Sequence, residues 1–113
     1  MPSPAASVAS KEIITGVING QELMQYDFTL EQYDALVKLV AALNCIFPKL
    51  RIDVPRDGDG AVRSDVLSKA ELAQWSGLLG HSHVTREKVD PGPAFNWDRV
   101  IEEARRERGN YRR

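Results

Sequence analysis

Apolar side chains recur at helical spacing through the first half of the chain. Tyr33, Leu36, Val37, Val40, Leu43 and Phe47 fall on one stripe, and Leu39 and Ile46 widen it. Thr29 precedes this run with Gln32 three positions on, a pairing that caps a helix start by satisfying free backbone N–H groups. The spacing therefore predicts a long helix opening at Thr29 and stopped by Pro48. A helix apolar on more than one side belongs in the middle of a core. Any part of that surface left without a partner predicts dimerisation or poor solubility.

Other periods flank it. Ile13, Ile14, Val17 and Ile18 lie before Asn19-Gly20, and Leu23 and Met24 after it. Asn-Gly between apolar, branched residues predicts a two-stranded hairpin at the surface. Lys49–Pro55 reads as a short extended piece, and Asp57-Gly58-Asp59-Gly60 as an exposed turn, because the closing glutamate of a calcium loop is missing. Ser68 and Glu71 form a second capping box, opening a short helix that ends near Trp75. Trp75–Leu79 is an apolar lead-in, so Leu78 to Val84 is expected to be a central strand. A last helix is expected from Asn96 or Trp97 to about Arg106, with Val100, Ile101 and Ala104 on its apolar side and Phe95 and Trp97 anchoring it.

At 113 residues the chain is expected to be one domain with a modest core. Residues 1–11 are expected to be a flexible tail, 12–106 the domain, and 107–113 a basic tail. With 15 basic and 16 acidic residues, net charge does not drive nucleic-acid binding. The single cysteine, Cys45, excludes an internal disulfide framework and reads as a structural thiol inside the long helix. There is no transmembrane run, and no signal peptide in Met1–Ser7, which points to the cytoplasm, or to the periplasm or exterior if a longer N-terminus exists.

The chemistry gathers in Gly80–Trp97, which contains both histidines. On a strand His81 and His83 would share a face. A loop can then return Asp90 beside them, and imidazole and carboxylate are both zinc ligands. Lys88 is placed to offer a fixed positive charge to a developing oxyanion. Pro91 and Pro93 restrict the residues before them and stiffen the loop end. His83 reads as a packed, hydrogen-bonded histidine rather than a ligand. Arg56 and Arg63 are candidates to meet an anionic ligand at a groove edge.

Gly80-His81-Ser82, followed by Lys88-Val89-Asp90-Pro91-Gly92-Pro93-Ala94-Phe95 and Trp97, resembles the C-terminal signature of zinc-dependent N-acetylmuramoyl-L-alanine amidases, the type that includes peptidoglycan recognition proteins. Tyr26–Tyr33 resembles the start of that family's long helix, and the likeness spans roughly residues 16–104. The resemblance implies hydrolysis of the lactyl–L-alanine amide of peptidoglycan fragments. It gives His81 as the second zinc-binding histidine, Asp90 as the carboxylate ligand, and Lys88 as the residue that stabilises the tetrahedral intermediate.

The family's first zinc-binding histidine, on an early strand, has no counterpart among the two histidines here. The resemblance therefore implies an α/β fold that is a partial amidase-type domain: a long central core helix, a short β-hairpin, one central strand carrying the histidines and a C-terminal helix. Two functions follow. One is a Zn2+-dependent amidase acting on peptidoglycan or muropeptide; the other is a non-catalytic remnant that binds muropeptide or a partner protein. A homodimer, or a missing N-terminal segment, is the expected partner; nucleic acid and membrane are not.

Overall fold

A computed structural model of the chain describes residues 8–111. The expected tail at residues 1–7 and the last two residues of the basic end lie outside the described residues. The architecture is a small α/β domain: a two-stranded antiparallel sheet and four helices.

Strand β1 (Ile13–Ile18) pairs with β2 (Gln21–Tyr26) in a register that runs from Ile13 opposite Tyr26 to Ile18 opposite Gln21. The turn needs two consecutive positive φ angles, and Asn19 (48°) and Gly20 (79°) supply them. That is the geometry whose twist matches a hairpin, and asparagine and glycine reach it at least cost. Both strands alternate half-buried with exposed positions, so one face of the hairpin rests on the body of the domain.

Helix α1 (Leu30–Ile46) starts as its sequence requires: the Thr29 side chain accepts from the Gln32 N–H, and the Gln32 side chain accepts from the Thr29 N–H. It packs against α4 (Trp97–Gly109), whose start is capped by Asn96. Tyr33, Val37 and Val40 of α1 meet Val100 and Ala104 of α4, with Phe28, Leu36, Leu78 and Phe95 around them. Each fully buried Val here contributes about 2 kcal/mol by removal of apolar surface from water. Tyr33, Phe28 and Phe95 form a mutual aromatic cluster, with ring centroids 5.4–6.0 Å apart. The stripe is wider than its partner. Leu39, Ile46 and Phe47 remain 54%, 67% and 59% exposed.

Between these helices, α2 (Lys69–Gln74) begins with the expected capping box of Ser68 and Glu71. Asp57–Gly60 is an exposed turn, closed by the Gly60 N–H on the Asp57 carbonyl.

Three expectations are corrected. Residues 78–84 do not form a strand: 78–80 are irregular, and His81–Val84 is a single helical turn, α3. Among the described residues no strand lies alongside to pair it, so its backbone groups find single partners instead: the Leu78 N–H donates to the Asp53 carbonyl, and the His83 carbonyl accepts from the Leu67 N–H. The His83 N–H donates to the Gly80 carbonyl, and the Thr85 N–H to the His81 carbonyl. The amidase-type central strand is thus absent from the described residues, and the sheet is the hairpin alone. Second, the tail expected up to residue 11 is already anchored at Ala9, whose N–H donates to the Phe28 carbonyl. Third, α4 continues to Gly109, three residues beyond the expected end, because Glu107 and Arg108 continue the helical backbone.

Candidate metal centre

His81 and Asp90 meet. The His81 Nδ1 lies 3.3 Å from the Asp90 Oδ2, and both side chains face solvent, at 48% and 65% exposed. Imidazole and carboxylate are both donor types that zinc accepts, and the contact as it stands is a direct imidazole–carboxylate pair. Of the described residues, no group of three or more His, Cys, Asp or Glu is clustered to hold a metal, so the pair stands as two donors.

The two residues are brought together by the backbone. Gly80 adopts an extended conformation and the chain turns into α3. The Ser82 N–H then donates to the Asp90 carbonyl at 3.2 Å, which closes the intervening loop. A side chain on Gly80 would not fit: a Cβ there would lie 2.8 Å from Pro91 Cδ and 3.1 Å from Trp97 Cζ2.

His81 and His83 do not share a face. In a helical turn, residues two apart point in different directions. His83 turns inward and is 1% exposed. Its Nδ1 accepts from the Gly80 N–H at 2.9 Å, and its Nε2 lies 2.7 Å from the Arg63 carbonyl. Both nitrogens are therefore occupied, and burial pushes the imidazole below its ordinary value. It is a neutral structural histidine with no lone pair for a metal.

Lys88 is exposed on the same loop, and its ammonium makes no ion pair with any described residue. Arg56 and Arg63, expected at a groove edge for an anion, are neutralised within the protein. Arg56 pairs with Asp53 and Asp98, and Arg63 with Asp65 and Glu71. The Arg63 guanidinium beside Glu71 holds that carboxyl down at about 2.

A groove of about 750 Å³ opens next to His81 and Asp90, walled by Phe28, Leu36, Val40 and Leu79. Its apolar wall from α1 is the core-facing side of the stripe, Tyr33, Leu36 and Val40, and not the exposed Leu39, Ile46 and Phe47.

Two hairpin residues hold the loop. The Asn19 Nδ2 reaches three carbonyls, those of Ser82 (3.0 Å), Lys88 (2.9 Å) and Thr85 (3.4 Å), while its Oδ1 accepts from the Val66 N–H at 2.7 Å. The Gln25 Nε2 donates to the Pro91 carbonyl at 3.0 Å, and its Oε1 accepts from the Ala94 N–H at 2.9 Å. Sequence reasoning saw Asn19 only as a turn residue and gave Gln25 no role. Nothing local marks either one, since every loop partner lies more than sixty positions away and Val66 lies 47 away. No protein-family model, curated protein or solved structure matches this chain.

Proposed function

We propose that this domain carries part of a zinc site of the N-acetylmuramoyl-L-alanine amidase type, with His81 and Asp90 as ligands and muropeptide as the substrate class. The supporting observation is the 3.3 Å approach of His81 Nδ1 to Asp90 Oδ2 at the mouth of an apolar groove. It joins residues from the two ends of the loop on which the family-like residues lie. Zinc, when bound, supplies Lewis acidity: it acidifies a water it holds and polarises an amide carbonyl. The chain's own contribution is placement. His81 and Asp90 stand at the solvent face, where they would hold the metal within reach of water and substrate. Lys88 offers its ammonium to the oxyanion that forms when the amide carbonyl is attacked. The proline-rich turn after Asp90 limits how far the carboxylate drifts.

The two-donor set also favours a second reading, in which the domain binds muropeptide or a partner without hydrolysis. Elemental analysis of protein purified without chelator separates metal binding from its absence. Zinc is expected in the wild type and lost in His81→Ala and in Asp90→Asn; equal zinc in all three rejects the assignment. Release of L-alanine-led peptides from muropeptide then distinguishes hydrolase from binder, the second reading being the outcome if zinc is held without turnover.

A further inference from the structure

We infer that Asn19 and Gln25 are positioning residues: the hairpin is a bracket that sets the distance between His81 and Asp90. The inference rests on the metal reading above and names what maintains that site.

His81 and Asp90 are about half and two-thirds exposed, so little packing fixes their side chains. Their spacing is inherited from the backbone. That backbone belongs to no sheet, and its carbonyls at Ser82, Thr85 and Lys88 point to one place, the Asn19 amide. A primary amide has two N–H donors and one carbonyl acceptor. Here the donors take the loop and the acceptor takes Val66, so the amide ties the loop to the 64–67 segment as well. Gln25 grips the chain on the far side of Asp90, bridging Pro91 and Ala94. Asp90 is thus held between two clamps, through Lys88 before it and Pro91 after it. A third contact is steric: Gly16 of β1 is so close to Pro93 that a Cβ at Gly16 would lie 2.8 Å from Pro93 Cβ. The outer face of the hairpin gains little from burial. Ile13, Val17, Met24 and Tyr26 are 53%, 51%, 78% and 70% exposed, and an isolated two-stranded hairpin is marginal in water. The hairpin's hydrogen bonds to the loop are made by the two side-chain amides, beside the close approach of Gly16 to Pro93.

The experiment measures zinc affinity by competition with a chromophoric chelator, with circular dichroism to verify folding. The variants are Asn19→Asp, Asn19→Gly and Gln25→Ala, with Glu22→Ala on the same hairpin as control. Asp and Gly both suit the left-handed turn position, so a residue needed only for the turn would tolerate either. As a bracket, Asn19→Asp loses both donors and Asn19→Gly the whole amide. Each of the three variants is expected to weaken zinc about 10- to 100-fold, the usual effect of removing a group that orients a ligand, with the control unchanged. Affinities within twofold of wild type, in folded variants, overturn the inference. If the wild type takes up no zinc, the metal reading fails and the bracket is read in the metal-free protein. There the Ser82 amide, bonded to the Asp90 carbonyl, is expected to exchange about tenfold faster in Asn19→Gly. Unchanged Ser82 protection overturns the bracket independently of any metal.

Discussion

The Gly80 backbone N–H donates to the His83 Nδ1 across 2.9 Å, and with the Arg63 carbonyl and the Trp97 ring it holds His83 inside. A ring nitrogen that accepts a hydrogen bond carries no proton, so the proton sits on Nε2 and is donated to the Arg63 carbonyl at 2.7 Å. With His83 drawn inside, the helical turn leaves His81 pointing out beside Asp90.

His83→Ala is expected to lower stability by about 3 kcal/mol, from the cavity plus an unsatisfied Gly80 N–H and Arg63 carbonyl. The acid limb of stability should change with it. Burial holds the folded His83 below its ordinary 6.5, so the unfolded chain takes up the proton first as pH falls. The stabilisation is complete above that value and is lost as pH drops below it. Thermal midpoints measured from about pH 7.5 to 5 should fall more steeply for wild type than for His83→Ala. Parallel curves would mean that His83 is not buried as the neutral ring.

Tyr33 governs the alkaline side. Its hydroxyl donates to Asp27 Oδ1 at 2.6 Å and accepts from the Asn96 N–H at 3.0 Å, tying the start of α1 to the start of α4. Burial, and then the Asp27 hydrogen bond, push it from 10.0 up to about 12. Unfolded chains lose this proton first, so stability is intact below pH 10 and declines as pH rises through about 12. Tyr33→Phe should cost about 1–3 kcal/mol at neutral pH through the lost hydrogen bonds. It should also flatten the decline in thermal midpoint above pH 10, measured against wild type.

What the sequence made legible was local. Thr29 with Gln32, Ser68 with Glu71 and Asn19 with Gly20 each specify an element end through neighbouring atoms, and each forms as its residues dictate. The apolar stripe of α1 likewise located Tyr33, Val37 and Val40 in the core. Leu78–Val84 misled because a short apolar run fits a strand and a buried turn equally, and only a pairing strand would have decided it. His81 and Asp90 were foreseeable as a pair from the loop between them. Asn19 and Gln25 were not, because side chain-to-carbonyl bonds over such separations leave no periodicity. The neutralisation of Arg56 and Arg63 was hidden only in part: Asp53 and Asp65 are near neighbours in sequence, whereas Asp98 comes to Arg56 from α4.

Gly80→Ala tests whether the tight approach of the loop end is required. The added methyl would press on Pro91, Trp97 and the Asp90 carbonyl, at 2.8, 3.1 and 3.3 Å, and neither ring can swing aside as a flexible chain end would. Overpacking of this kind costs about 1–3 kcal/mol. Because the displaced atoms include the Asp90 backbone, the proposed zinc site predicts that zinc uptake falls along with the thermal midpoint. A variant with wild-type zinc content and a lowered midpoint would separate the packing of Gly80 from the placement of Asp90.

Lys88 gives the last test, one that distinguishes chemistry from architecture. Its ammonium is exposed and makes no ion pair with any described residue, while its carbonyl is held by Asn19. Removing the charge should therefore leave the fold and the His81–Asp90 pair unchanged. On the amidase proposal, Lys88→Met is expected to retain zinc and the wild-type thermal midpoint, yet to hydrolyse muropeptide about 100-fold more slowly, the scale of losing one group that stabilises an oxyanion. Lys88→Arg keeps the charge on a broader head and should recover part of that rate. If Lys88→Met turns over at the wild-type rate, the positive charge plays no part in the reaction, and Lys88 serves the site only through its carbonyl.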